Sequence, residues 1–428
     1  MLKPFSTPSG LAFWSANLLV VSMVVSPFLL SVGMWGMVFA SWWQVSQQLS
    51  EKKGLRSAWV YLRSARSWWE VLQDSFVRLF RRPELSALTC LLLAPVLSFF
   101  WSQDVAYWLR WVQISLPFLV LPWAFANLPT LSDRAWKSVL YLFFWFMVGL
   151  CIGIGVNFYL HYAVILEGLG RGNPIPVPRS HVRFSLILAT AIVIGAWLWH
   201  SGFWFKKPWE RPILAISVLF LFVFIHVLSV RGGILALYSA LLFGLFWYVW
   251  KNRKWGRGFA YMVLLLGTIW VAITYIPSLN KRVAYMKYDW ERFVKNDGGE
   301  SYSDAGRWVS MQVGWQVWKQ NPLLGTGVGD LRAETARVTA EKFPLYSQEA
   351  HLPHNQFVFI LASTGLFGLA LSLYAFGRIF YAGRGNLLFL LLQVMAFSSF
   401  VIECTIQNAI GVAWFLFYTL WFLQKEPR

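Results

Sequence analysis

Charge is scarce in this 428-residue chain. Asp, Glu, Lys and Arg make up 13% of it, against 57% hydrophobic residues. By length alone it would form two or three soluble domains, but so little charge cannot solvate the surfaces of that many. Acidic residues are the scarcer kind, 19 against 37 basic ones. A catalytic divalent cation needs clustered carboxylates. In the long polar loop only Asp289-Trp290-Glu291 comes close, with no further carboxylate at compact spacing, so no metal site is expected. Cysteine is rarer still. Cys90, Cys151 and Cys404 each lie inside an apolar run, which leaves neither a disulfide framework nor metal-ligand spacing. No internal repeat is evident.

Long apolar runs are abundant. Ile213–Ser229, Gly258–Ile276 and Leu387–Val401 contain no charged residue and approach or reach the length that spans a bilayer. Many of the 27 tryptophans stand at the ends of such runs, as in an interfacial belt. The pattern predicts an all-α integral membrane protein with about twelve transmembrane helices. These fall near 11–26, 28–45, 84–101, 106–125, 137–157, 183–200, 212–229, 232–250, 258–276, 356–380, 387–403 and 406–423. The first two read as a retained hairpin bent at Ser26-Pro27, because the run is too long for a cleaved signal. Residues 1–276 form a first membrane part, 277–355 a helical external loop domain, and 356–428 a second membrane part.

The net charge of +18 follows from topology rather than from nucleic-acid binding. Both termini and the loops at 45–83, 126–137, 200–212, 251–258 and 378–386 hold most of the Lys and Arg, which places them in the cytoplasm. Residues 45–83 also interleave Trp59, Leu62, Trp68 and Trp69 with the cations. That pattern suits an amphipathic helix on the inner leaflet.

Two external loops break the charge rule. In the first, Pro174, Pro176 and Pro178 stiffen a lead-in to Arg179 and Arg183 at a helix mouth. These cations serve either a ligand or solvent. The second, 277–355, is long enough to be functional. A helix capped by Asp304 should run from Ala305 to Gln320 and carry Arg307 in its first turn. Trp308, Met311, Trp315 and Trp318 share one face and should form its packed side. Asn321-Pro322 stops that helix.

The loop ends in His351-Leu352-Pro353-His354-Asn355-Gln356. Pro353 suits a first helical position, which puts His354 in the first turn, where the helix dipole keeps its ring neutral. A neutral imidazole there can act as a general base, and the same helix end attracts phosphate. His351 competes for the role, and either ring can simply sit at the interface. Arg231, between two apolar runs and before two glycines, is costly at membrane depth unless it meets an anion or snorkels to the interface. A histidine base with arginines for a diphosphate suits a transferase acting on a lipid-linked phosphate ester.

The motifs also resemble those of the O-antigen ligase and polymerase superfamily. Ser229-Val230-Arg231-Gly232-Gly233 is similar to its Ser-Arg-Gly turn, with one extra residue between Ser and Arg. Arg307-Trp308, Trp315 and Asn321-Pro322-Leu323-Leu324-Gly325-Thr326-Gly327 are similar to its external-loop motif. His354-Asn355 followed by Ala362-Ser363-Thr364-Gly365-Leu366-Phe367-Gly368 is similar to its His-Asn helix entry, and Trp101-Ser102 is a softer match. The resemblance implies a bacterial inner-membrane glycosyltransferase of the GT-C class whose site faces the periplasm. It implies a donor glycan on undecaprenyl diphosphate and inverting transfer to a sugar hydroxyl of lipid A–core, with no metal or other cofactor. His354 would then be the base. Arg231 and Arg307 would hold the diphosphate, with Asn355, Arg179, Arg183 and His351 also on substrate. O-antigen polymerase and protein O-oligosaccharyltransferase fit the same motifs. A lipid-linked glycan flippase is the alternative of another class, for which His226 inside a span is the one argument.

Overall fold

The computed structural model describes residues 5–55, 58–62, 64–203, 207–295, 303–346 and 352–424. Among them every regular element is helical. Ten helical stretches among the described residues are long and apolar enough to cross a membrane. Two shorter apolar helices, Leu387–Ile402 and Ala409–Leu423, follow where the last two spans were expected.

The hairpin forms as the sequence suggests. Ser26 closes Pro8–Val25 and opens Pro27–Lys52, its hydroxyl accepting from Leu29 N at 3.4 Å. The stretches Pro83–Trp101 and Val105–Asn127 are not single rods. Prolines and 3-10 turns break the first, and the second is interrupted at Leu116 before Pro117.

The core gathers around the last helix, in which every residue from Gly411 to Leu423 is buried. A helix that is apolar all round must be enclosed by others. Trp421 stacks on Trp136 at 6.1 Å and on Phe417 at 5.0 Å. Some of the polar groups here find partners, Trp414 Nε1 donating to Thr190 Oγ1 at 3.0 Å and Gln393 Nε2 to Thr419 Oγ1 at 2.9 Å, whereas Tyr418 Oη and Trp421 Nε1 are buried with none among the described residues. In contrast, Trp255–Tyr275 turns most of its surface outward, as a lipid-facing helix does.

Residues 45–83 contain the helix Ala65–Phe80, with Val71 and Leu79 buried and Trp68, Trp69 and Phe80 exposed. Beyond Ile276 the long loop adds Pro277–Val294, Ser303–Gln320 and Leu331–Lys342. The second of these begins at Ser303, before the expected cap Asp304. Its packed face also differs from the expected one. Ala305, Val309, Val313 and Val317 are fully buried, whereas Trp308 and Trp315 are exposed. Among the described residues this loop unit shares its core with the bundle. Val309, Val313, Val317, Val328, Leu331 and Val338 pack with Trp111, Phe359 and Cys404 of the membrane part.

One junction locks the loop unit to the bundle. The helix Gln356–Gly383 is broken at Gly365, which has φ 64° and ψ −161°. The loop 322–327 lies against that break. Thr326 N and Gly327 N donate to the carbonyls of Ala362 and Ser363 at 3.0 and 2.8 Å. Leu366 N and Phe367 N donate back to Pro322 and Leu323 at 2.9 and 3.0 Å. Two of the motifs singled out in the sequence are therefore each other's hydrogen-bond partners.

Candidate active site

The site forms where the loop unit meets the break between the last two helices. Leu387–Ile402 ends at Glu403, whose backbone is extended, and a short turn Thr405–Gln407 precedes Asn408, the cap of the final helix. Three hydrogen bonds lace this break to the entry of Gln356–Gly383. Asn355 Nδ2 donates to Val401 O at 2.8 Å, Cys404 Sγ to Pro353 O at 2.6 Å, and Ile406 N to Gln356 Oε1 at 3.2 Å. Asn355 is also the N-cap, its Oδ1 accepting from Phe357 N and Val358 N at 2.9 and 3.1 Å. Its amide is thus committed to backbone on both sides.

The helix therefore opens at Gln356, later than the sequence suggested. Pro353 and His354 precede it, and His354 N donates to Ser310 Oγ at 3.1 Å. The ring is oriented by a carboxylate rather than by membership of a first turn: His354 Nδ1 lies 3.4 Å from Glu403 Oε2. A proton on Nδ1 facing the carboxylate leaves Nε2 as the ring's acceptor.

Glu403 is the hub. It is 6% exposed and meets Arg307 Nη2 at 2.6 Å and Arg183 Nη1 at 3.7 Å. Burial pushes its carboxyl up, but the His354 hydrogen bond and the charges of Arg307, His354 and Arg183 outweigh burial and hold it below the usual range. A buried carboxylate is tolerable only with such partners. Arg183 also donates from Nη2 to Cys404 O at 3.0 Å, which fixes its guanidinium.

Glu403 stands on the wall between two concavities. On one side a tight pocket of ≈ 20 Å³ gathers Arg231, Arg282, Arg307 and His181 around it. Arg231 is the first residue of Arg231–Asn252, after Ser229 in the left-handed conformation. Arg282 comes from Pro277–Val294 and donates to Gly172 O at 2.7 Å. On the other side an open cleft of ≈ 530 Å³ exposes His354 and Arg183. An imidazole and a cluster of guanidiniums thus stand on either side of one carboxylate. That arrangement can take a proton from an incoming hydroxyl and stabilise an anionic leaving group.

Of the residues expected from the sequence, Arg231, Arg307, Arg183, His354 and Asn355 come together here. Arg179 does not line either concavity; its Nε donates to Val25 O at 3.3 Å, tying the proline-stiffened segment to the end of the first helix. His351 lies outside the described residues. Asp289 and Glu291 do not act as a pair: Asp289 is buried and Glu291 exposed on the same helix, as a two-residue spacing dictates. Among the described residues no three His, Cys, Asp or Glu side chains gather to hold a metal ion. His226 is occupied structurally, its Nδ1 2.7 Å from Phe222 O and Nε2 2.9 Å from Tyr238 Oη.

Sequence reasoning missed Glu403 and Arg282. The signal for Glu403 was present: it is a lone carboxylate at the end of an apolar run, where an unpaired charge is costly. Arg282 had no signal beyond its place in a mixed-charge loop.

Comparison with known proteins bears on the same stretch of chain. Residues 215–373, which carry Arg231, Arg307 and His354, match the family described as O-Antigen ligase. An O-antigen ligase of Salmonella typhimurium is 26% identical over 211 residues, 48% of this chain and 47% of that protein. The chain spans about half the length of the curated relative it matches.

Proposed function

We propose that the chain, whose residues 215–373 match the family described as O-Antigen ligase, is a glycosyltransferase-type membrane enzyme of that family and transfers O-antigen glycan from undecaprenyl diphosphate to a sugar hydroxyl of lipid A–core. The reading puts the site on the periplasmic face of a bacterial inner membrane, in a bundle of the GT-C class. The observation that carries it is the His354–Glu403 pair beside the arginine pocket.

In this reading the acceptor hydroxyl enters the His354 cleft and gives its proton to Nε2. Its oxygen bonds to the anomeric carbon as the bond from that carbon to the diphosphate oxygen breaks on the opposite face, inverting the configuration. Undecaprenyl diphosphate leaves with the electron pair. Arg231, Arg307 and Arg282 take its charge, which suits a reaction that needs no divalent cation. Glu403 keeps His354 in the productive tautomer and steadies the imidazolium that forms. Asn355 holds the histidine segment against the break. Arg183 fixes Glu403.

The test is a reconstituted assay with purified lipid-linked glycan and three separate acceptors: lipid A–core, a growing glycan and a peptide. Transfer to lipid A–core is expected. Transfer only to glycan would make the chain a polymerase, and transfer only to peptide a protein oligosaccharyltransferase. Passage of the donor across the bilayer with no transfer to any acceptor would remove the enzymatic reading.

A further inference from the structure

The cleft on the His354 side has features that base catalysis does not explain. One face of the helix Val105–Ser115 lines it with Tyr107, Arg110, Trp111 and Ile114, spaced as a single helical stripe. Arg332, from Leu331–Lys342, joins from the loop unit. Arg110 and Arg332 are exposed, and among the described residues neither makes an ion pair. The one carboxylate in the lining, Glu403, is already surrounded by Arg307, Arg183 and His354. Trp111 is 8% exposed and packs on Phe359 at 4.9 Å, yet its Nε1 has no hydrogen-bond partner. Arg183 Nε is likewise buried without one. Buried donors are rarely left unpaired. Two cations, two aromatic rings and two unused N–H groups around a cleft of ≈ 530 Å³ suit an anionic carbohydrate.

We propose that this cleft is an acceptor subsite that selects an anionic sugar. Arg110 and Arg332 bind a phosphate or carboxylate substituent of the acceptor glycan. Trp111 and Tyr107 take the sugar, with Trp111 Nε1 donating to one of its oxygens. The inference rests on the transfer reading above and adds the chemical class of the acceptor. It also separates the two substrates: the donor's charge is met on the Arg231 side of Glu403 and the acceptor's on the Arg110 side. Arginine suits the task because its planar fork matches both anions.

The experiment compares acceptor KM at saturating donor for intact lipid A–core, for the same acceptor stripped of phosphate, and for one with its carboxylates reduced. In the wild type, removing the recognised anion should raise KM about tenfold or more, as expected for loss of charge-assisted hydrogen bonds. Arg110→Gln and Arg332→Gln should raise KM for the intact acceptor to a similar degree, while donor KM holds. Their penalty should shrink on whichever stripped acceptor has lost the recognised group, and that arm tells phosphate from carboxylate. Arg110→Lys should recover part of the loss. Equal KM for all three acceptors in the wild type would overturn the proposal, as would arginine variants that weaken intact and stripped acceptors alike or that raise donor KM. If the wild type uses glycan or peptide in place of lipid A–core, the transfer reading falls on its own. The same charge comparison on the acceptor that works then decides the subsite.

Discussion

In the proposed reaction His354 and Glu403 divide the work of a base between a ring that accepts the proton and a carboxylate that sets which nitrogen is free. His354→Ala should abolish transfer, a loss of typically ~100- to 10,000-fold for a general base, while donor binding persists. Glu403→Gln should cost less, about 10- to 100-fold, in kcat rather than donor affinity, since the ring remains but loses its orienting charge. His351→Ala should be milder than either. If it alone is inactive, the base has been assigned to the wrong histidine. Arg231→Ala and Arg307→Ala should each lower transfer about 100-fold or more, and Lys at either position should rescue only part. Glu403 also gives a pH dependence with a definite sign. Its carboxyl sits lower in the folded chain than in the unfolded one. Its pairing therefore stabilises the fold fully above the ordinary carboxylate range and is lost as pH falls through the depressed value. Melting in detergent should drop as pH falls below the ordinary carboxylate range in the wild type, and Glu403→Gln should flatten that drop. An identical acid profile in the variant would remove Glu403 as its source.

At the scale of elements, the break at Gly365 is what joins the loop unit to the bundle. A Cβ there would lie 2.3 Å from Leu323 O at a φ that L-residues rarely adopt. Gly365→Ala should destabilise by about 1–3 kcal/mol and move the 322–327 loop. Gly377→Ala, in open space on the same helix, should be neutral or stabilising by up to about 1 kcal/mol. Detergent melting of the two variants compares them directly; equal Tm values would mean the junction carries no strain. Most elements were legible because apolar runs and Pro-Gly punctuation are local. The packed face of Ser303–Gln320 was not. Tryptophan at helical spacing outweighed Val309, Val313 and Val317 on paper, yet the smaller β-branched side chains let that helix sit close against Gln356–Gly383. The late start of that helix was likewise hidden, because Asn355 competes with Pro353 as the opening signal and wins through its two backbone bonds. The site was half legible. His354, Arg231 and Arg307 carry sequence motifs, whereas Glu403 gains its role only when the chain folds back on itself.

For the whole molecule the sidedness of the loops is the first test. Glu341→Cys, exposed on the loop unit, should react with an impermeant thiol reagent once the outer membrane is permeable. Glu51→Cys should react only after the inner membrane is broken. The native thiols are buried or half-buried and leave little background. The reverse pattern would move the site to the cytoplasm. Transfer should also survive EDTA; loss with recovery in magnesium or manganese would end the arginine-only account of the leaving group.

The wall residue shared by both concavities has a consequence for turnover. Arg183 and Arg307 meet Glu403, and Arg231 and Arg282 line the pocket beside it, so four guanidiniums gather where the proposed reaction puts the diphosphate. A glycan-linked diphosphate brings about two negative charges, and once the glycan has left it can carry a third. The released lipid is then a better electrostatic match to the centre than the donor was. Undecaprenyl diphosphate should accordingly compete with donor at concentrations below donor KM, and high salt should ease that inhibition. On the proposed reaction the chain would spend its cycle waiting to let go, and its throughput would depend on how quickly the membrane removes the spent carrier.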